Sequence, residues 1–536
     1  MSIPHGVTLL LYIFLVGFSP GIVKGQEELN KYWVLFTDKN GINFDPYSYF
    51  DIKAIERRLK SNIPINHISD WPVKPQYIDS ISALTTQTRH HSRWFNAVAI
   101  LANAEQLSTI KKLNFIKEII PMSSISYSAS LNNEKRHKYE TDLSEYELKL
   151  MKEQTTRMGG HLFEEKNIKG KGIRIAIFDA GFPTVDVNPA FKHIRENNNI
   201  LQTKDFLTGK ENVYKHSTHG TNVLSCVAGI IEGERIGMAT EAEFLLARTE
   251  SGLFEPYSEE ENWLAASEWA DKNGADIISS SLGYTNNRYF TWEMDGKKSL
   301  VAKAANMAAR KGMLVLNAAG NDGESDWKYQ GTPADADSVL SVGGIDAETD
   351  YHIYFSSFGP SADKRMKPNI CAFGQAVVAG KRGMELAFGT SFSAPLASGF
   401  AACAWQTSPN RNNMEMFNKI EQSADLYPYY DYAHGYGVPQ AYFFLNNENK
   451  KAVPTYSITT NENILKVVID KNQINLKKET KDPIMYYHIE NPNGYLDKYY
   501  VVAVKQYDVL RFDINDFQKG SVLRVFFKGH CIVREF

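Results

Sequence analysis

Cysteine is scarce, with four residues in a chain of 536. So few cannot staple a disulfide-dense scaffold, and no two of them form a C-x-x-C pair, so nothing supports a structural zinc site. Cys226, Cys371, Cys403 and Cys531 allow three pairings that their spacing does not choose between, and free thiols are expected for most of them. A basic surplus is also missing: 59 Lys and Arg face 62 Asp and Glu, for a net charge of −3. That removes the electrostatic footprint of a nucleic-acid-binding chain. The one long apolar run, Val7 to Phe18, has twelve residues, short of the roughly 20 that cross a bilayer, so no transmembrane segment is expected. Internal repeats are absent. What is present is ordinary globular composition, 43% hydrophobic and 23% charged, which excludes disorder, collagen and coiled coil as the main reading. At about 150 residues per domain, the length allows three or four folded units.

The apolar run is followed by Pro20-Gly21 and by small or modest residues ahead of Gln26, the pattern of a secretory signal peptide over residues 1–25 that lacks only its usual positive front end. Export to the cell surface or medium is the expected localisation. Residues 26–125 then read as a small α+β unit: a strand at Tyr32–Phe36, an amphipathic helix at Ile52–Leu59 with Arg57 and Arg58 outward, and a strand at Trp94–Leu101. Asn103 is placed to cap a helix running to Leu113, and Phe115–Ile120 reads as a further strand. Residues 126–147 are polar and without period, an exposed linker open to proteolysis. From 148 to 450, buried strands (Ile173–Phe178, Ala275–Ser280, Met313–Leu316, Ser338–Val342) alternate with helices (Asn262–Asn273, Leu300–Lys311), which predicts a parallel sheet covered by helices on both faces. Residues 451–536 switch to short strands and Asn- and Gly-rich turns, a β-sandwich.

Three segments of the α/β region set a reactive residue against glycine at the end of an element. Ile173–Phe178 runs into Asp179-Ala180-Gly181, which puts a carboxylate at the carboxyl end of a strand, where open α/β sheets bind ligands; taken alone, it reads more readily as a turn or N-cap Asp. His216-Ser217-Thr218-His219-Gly220-Thr221 opens an apolar helix, so His219 can be aimed at a partner. His216 and His219 find no third ligand at suitable spacing, so no metal site is read there. Phe388-Gly389-Thr390-Ser391-Phe392-Ser393-Ala394-Pro395 begins a second helix, with backbone N–H groups beside Ser391 and Pro395 fitting the first turn.

Asp179, His219 and Ser391, in that order and with D-x-G, H-G-T and G-T-S-x-S-A-P around them, resemble the subtilisin-like serine peptidases. Ile278-Ser279-Ser280-Ser281-Leu282-Gly283 is similar to the family's substrate-pairing edge, and Asn317-Ala318-Ala319-Gly320-Asn321 to its oxyanion segment. The resemblance implies a subtilisin-like fold and a serine endopeptidase acting on proteins or peptides. In it Ser391 is the nucleophile, His219 the general base, Asp179 its orienting carboxylate and Asn321 the oxyanion donor. Ser281, Leu282, Gly283, Ala319, Gly320 and Gly331 would bind substrate, with an apolar or aromatic residue preferred before the cut. Ala180 and Asn222 replace residues common in the family without removing a catalytic atom. No cofactor is required for the chemistry, and no acidic loop resembles the family's tight calcium sites, although backbone carbonyls of loops such as Asp322 to Asp337 could serve one. By the same resemblance, residues 26–125 are an inhibitory propeptide of the type found in exported Bacteroidetes subtilases, or else a permanent accessory domain. The tail is similar to type IX secretion sorting domains, engaging the secretion machinery, or else is a sandwich that binds substrate or packs on the protease. Two rival functions are an inactive binding protein on the same scaffold and a surface adhesin.

Overall fold

The computed structural model describes residues 28–122, 127–128, 137–138, 143–251, 254–255, 258–286, 288–381, 383–446, 453–479 and 482–536. The signal-peptide reading, most of the linker and the boundary at 450 lie outside the described residues.

The central sheet has seven strands. In order across it they are Ile370–Phe373, Val339–Ile345, Leu314–Ala318, Ile277–Ser280, Arg174–Asp179, Glu243–Arg248 and Ile200–Asp205, and every neighbouring pair is parallel. Alternate side chains face opposite ways along each strand, and the two cores divide accordingly. Ile175, Ile177, Leu246, Leu314 and Leu316 pack with the helices His219–Ala228 and Thr390–Gln406. Ala176, Phe178, Leu245, Ala247 and Val315 pack with Ser258–Lys272 and Leu300–Arg310. Burial on both sides is why these strands are written as continuous apolar runs. The chain builds outward from Arg174–Asp179 on one side as far as Ile200–Asp205, then continues on the other side from Ile277–Ser280. The strand order therefore reverses at Asp179, and a crevice opens at the carboxyl ends.

The N-terminal unit is a four-stranded antiparallel sheet in the order Gln87–Ser92, Ala97–Ala102, Asn30–Phe36, Ile116–Met122. Asn103 caps the helix Ala104–Ile110 through a reciprocal box with Gln106, a pairing that satisfies two orphan donors. One face of this sheet buries Val34, Val98 and Ile100 under its own helices. The other face, with Trp33, Trp94, Ala97 and Ala99, shares a core with Ala266 and Ala270 of the central unit.

The outward placement of Arg57 and Arg58 is overturned: they are 2% and 0% exposed. The helix Ile52–Lys60 turns Ala54, Ile55, Arg57 and Arg58 toward protein and leaves Ile52, Glu56 and Leu59 exposed, so the two arginines meet the central unit. Both guanidiniums bind Asp271, with Arg58 Nη2 at 2.6 Å and Arg57 closer still. Arg57 Nε also donates to the Lys311 carbonyl at 3.1 Å.

The tail forms two antiparallel sheets, one of three strands and one of four, around Leu465, Val467, Met485, Leu523 and Val525. It docks on the central unit through Tyr429, Leu426 and Phe526, and His488 Nδ1 lies 2.6 Å from the Tyr430 carbonyl.

Candidate active site

Asp179 ends the first central strand and is fully buried. One of its oxygens accepts the Ala180 N–H at 2.7 Å, and each lies 2.9 Å from His219 Nδ1. Carboxylate and imidazole meet because two turns cross with no room for side chains. A Cβ on Gly181 would come 2.2 Å from the Lys215 carbonyl, and one on Gly220 would come 2.3 Å from the Gly181 carbonyl and 2.9 Å from Asp179 Cβ. Gly181 also holds φ +137°, a conformation that a residue with a Cβ resists. His219 is the first residue of its helix, and its ring centroid is 5.9 Å from that of Phe392, next to Ser391.

Ser391 is the second residue of the helix Thr390–Gln406, so its N–H has no partner one turn back. Pro395 is the sixth residue, beyond the first turn where the motif had placed it. Lacking an N–H, Pro395 cannot bond the carbonyl four residues earlier, which is that of Ser391. The Ser281 hydroxyl bonds it instead, at 2.8 Å. Proline in the helix thus ties the nucleophile's backbone to the neighbouring strand.

Asn321 Oδ1 accepts both the Thr390 N–H at 2.8 Å and the Thr390 hydroxyl at 3.0 Å. A backbone N–H can only donate, so this fixes which end of the carboxamide is oxygen and turns its N–H groups away from Thr390. The Thr390 hydroxyl also accepts the Gly320 N–H at 3.1 Å. Thr390 therefore holds both Gly320 and Asn321 in the segment that is similar to the family's oxyanion segment.

A cavity of about 360 Å³ is lined by Ser281, Leu282, Gly283, Gly320, Asn321, Gly331 and Ser391, together with Thr285, Asn286, Ala318, Asp322, Ser325 and Thr390. Ala319 is not in its wall; it is buried, with its N–H on the Val342 carbonyl. A Cβ at Gly283 would meet nothing within 4 Å, whereas one at Gly331 would come 2.8 Å from Thr285 Cγ2 and 2.9 Å from the Tyr284 carbonyl. Gly283 is the glycine that opens the cleft, and Gly331 lets two backbones touch. The wall is polar and includes the Asp322 carboxyl, whose pKa burial raises, so an apolar or aromatic side chain finds little match there. A larger cavity of about 750 Å³, beside Val187, His193 and Met384, contains none of the predicted site residues.

In the loop proposed for calcium, the Ala336 carbonyl is engaged by the Lys367 ammonium at 2.8 Å, which also binds the Val339 carbonyl just past the loop at 2.6 Å. Glu250, which the motif pattern passed over, lies beside the dyad. Its carboxylate, a His219 ring nitrogen and an Asp179 oxygen are all within 4.8 Å of one another. The signal that could have found it is its place just past a strand ending at the same sheet edge as Asp179.

Two pieces of the 126–147 segment flank the cleft. Tyr127–Ser128 pairs antiparallel with Phe254–Glu255, and His137–Lys138 with Glu385 and Leu386, just ahead of Ser391. The N-terminal sheet is latched above by Glu268, which accepts from the Ser92 hydroxyl at 2.6 Å and from the Arg93 and Trp94 N–H groups at 3.0 and 3.2 Å.

Residues 170–438 match the subtilase family, Peptidase S8, and residues 31–141 match the Bacteroidota peptidase S8 propeptide domain. Subtilisin-like protease SBT6.1 of Arabidopsis thaliana is 28% identical over 51% of this chain and 25% of its own length. The thermostable alkaline protease of Halalkalibacterium halodurans is 27% identical over 48% and 64%, and Subtilisin Savinase of Lederbergia lenta is 26% identical over 48% and 86%. The chain thus spans from a quarter to about two thirds of the first two relatives. The crystal structure of fervidolysin from Fervidobacterium pennivorans superposes with a TM-score of 0.55 at 16% identity, covering 94% of this chain and 71% of that one, a likeness of fold.

Proposed function

We propose, from the premise that the chain belongs to the subtilase family and carries a Bacteroidota-type propeptide domain, that it is an exported serine endopeptidase made as a zymogen. The observation that carries this reading is the His219 imidazole held by Nδ1 between both oxygens of a fully buried Asp179, at the sheet edge that also presents Ser391 and Asn321. With Nδ1–H committed to the carboxylate, Nε2 is the basic nitrogen. It takes the Ser391 proton as Oγ attacks the scissile carbonyl, then delivers it to the leaving amine. Negative charge gathers on the carbonyl oxygen, where the Asn321 amide and the Ser391 N–H stabilise it. These steps use protein groups alone.

The chain's own strand at Tyr127–Ser128 lies on the edge where a substrate would add a strand, a mode in which main-chain bonds supply affinity. The N-terminal unit blocks the cleft in this way, and the activating cut falls in the 126–147 linker. The tail's docking through Tyr429, Tyr486, Phe526 and His488 supports its packing on the protease. Export rests on the apolar run Val7–Phe18 and the small residues before Gln26.

A fluorophosphonate probe tests the central reading. The processed protein should be labelled on Ser391 and the Ser391→Ala protein should not; a processed protein without label on Ser391 overturns it. Mass spectrometry of the mature N-terminus locates the cut.

A further inference from the structure

The tail's sandwich is built from unequal sheets. Its three-stranded sheet, in the order Tyr456–Asn461, Ile464–Ile469, Asp508–Asp513, faces a four-stranded sheet in the order Leu496–Ala503, Ile484–Glu490, Val522–Phe527, His530–Glu535. The Tyr456 hydroxyl donates to the Val525 carbonyl at 2.6 Å, and Phe512 meets Tyr487 edge to face with centroids 5.5 Å apart. The short sheet thus covers the inner strands, and Leu496–Ala503 overhangs it. Residues directly opposite in an antiparallel pair share a face. Tyr500 is opposite the half-buried Tyr487, and Lys498 is opposite Ile489, so both lie on the inward side. Tyr500 is nevertheless 42% exposed, because the short sheet ends before reaching it.

The uncovered inward face is the floor of a cavity of about 620 Å³, within the roughly 300–1,000 Å³ of small-molecule sites. Tyr487 and Tyr500 stack there with centroids 4.8 Å apart and planes 20° off parallel, and Phe512 and Phe517 lie alongside. The rim carries Asn491, Asn493, Gln518, Asp497, Asp516 and Lys498. Asn491 Oδ1 accepts the Asn493 and Tyr495 N–H groups at 2.9 and 3.2 Å, which commits its oxygen and leaves its amide N–H groups for another acceptor. Among the described residues, the side chains of Asn493, Gln518, Asp497, Asp516 and Lys498 have no hydrogen-bond or ionic partner within the protein.

An aromatic floor under a rim of carboxamides and carboxylates selects a ligand that is apolar on its ring faces and rich in hydroxyls at its edges. Two carboxylates against one ammonium repel a phosphate or sulfate polymer. A peptide strand added to the free edge of Asp508–Asp513 would bind by its main chain and leave the polar rim idle. We propose that the tail carries a saccharide site in this cavity, in which a neutral pyranose stacks on Tyr500 and Tyr487 while the rim side chains bond its hydroxyls. The opposite face of the same sheet docks on the central unit through Tyr486 and His488, so the site stays open while the tail is docked. It tethers the chain to a glycan without drawing on the cleft around Ser391.

The test titrates the full chain with Ser391→Ala in a calorimeter. The probes are neutral hexasaccharides, α- and β-linked, of glucose, xylose, mannose and N-acetylglucosamine, with heparin and an alternating threonine-valine hexapeptide as the competing chemistries. At least one hexasaccharide should bind, and heparin and the peptide should not. Tyr500→Ala should weaken that binding about tenfold or more through loss of the stacked ring, Tyr500→Phe should keep most of it, and Asp516→Ala should weaken it. Tyr500 sits on an edge strand and is partly exposed, so thermal unfolding of its variants should match the parent. No hexasaccharide bound, binding unchanged in Tyr500→Ala, or binding of heparin or the peptide alone overturns the proposal. None of these results touches the peptidase reading, which labelling of Ser391 in the processed wild type tests separately.

Discussion

The bond from the Ser281 hydroxyl to the Ser391 carbonyl is open to a sharp test, because Pro395 has removed that carbonyl's ordinary partner. In Ser281→Ala the carbonyl stays buried with neither an N–H nor a hydroxyl to accept from, which costs about 1–3 kcal/mol. Pro395→Ala restores an N–H one turn along the helix. In that background the same Ser281→Ala change should cost about 0.5 kcal/mol or less, because the carbonyl has a second donor. The cycle therefore carries a coupling energy of about 1 kcal/mol or more, within the range for residues that share a partner. All four proteins should be made with Ser391→Ala to prevent self-digestion; this keeps the backbone carbonyl in place. Native-state hydrogen exchange of amides in Thr390–Gln406 reads the local opening free energy. Additive costs, with Ser281→Ala equally harmful beside proline and beside alanine, would refute the argument that proline makes the serine hydroxyl necessary.

Asn321→Ala should lower kcat by about 10² to 10³, the usual loss for one oxyanion donor, with little change in KM; a fall below tenfold counts against its role. Asp271→Asn leaves Arg57 and Arg58 buried beside a neutral amide. Loss of a buried charge partner costs about 3–5 kcal/mol, so the N-terminal unit should open far more readily, seen as faster exchange in Ala97–Ala102 and earlier appearance of mature protein. Burial raises the Glu268 carboxyl to about 6, and its latch partners are present only when the unit is docked. The docked state therefore holds a proton that the separated state, with an ordinary carboxyl near 4.5, has released. Docking is strongest below pH 4.5 and weakens by about 2 kcal/mol as pH rises through 6. Exchange of the N-terminal sheet in the Ser391→Ala chain at pH 4.5 and 7.5, corrected for intrinsic rates, checks this; an opening free energy that is flat or higher at pH 7.5 contradicts it.

The central fold was legible because burial on both faces leaves a parallel strand little choice but a run of apolar residues. Ile173–Phe178 ended on Asp179 in sequence as it does in space, and a strand's end is where a sheet presents chemistry. Gly181 and Gly220 were legible as punctuation, and their cause lies in the crossing of two turns 40 residues apart. Pro395 misled because position within a helix depends on where the helix starts, and Gly389 at φ +145° sets that start. Glu250 was hidden because its meaning comes from register with Asp179 across the sheet, which no local spacing records.

Arg57 and Arg58 failed for a deeper reason. Helical periodicity sorts residues into a face for protein and a face for water, and on the helix Ile52–Lys60 Arg57 and Arg58 take the protein face while Ile52 and Leu59, 68% and 59% exposed, take the water. On the proposed release of the N-terminal unit, its docked face, the apolar Trp33 and Trp94 together with the charges of this helix, would meet water. Across the dock both arginines are paired by Asp271, while Arg58 also meets Asp70 of its own unit. Such an interface gains little over water when complete, and breaks sharply when one partner changes its charge. On that proposal the arginines are written as surface because release returns them to it, and Asp271 on Ser258–Lys272 makes them interior while the unit is docked.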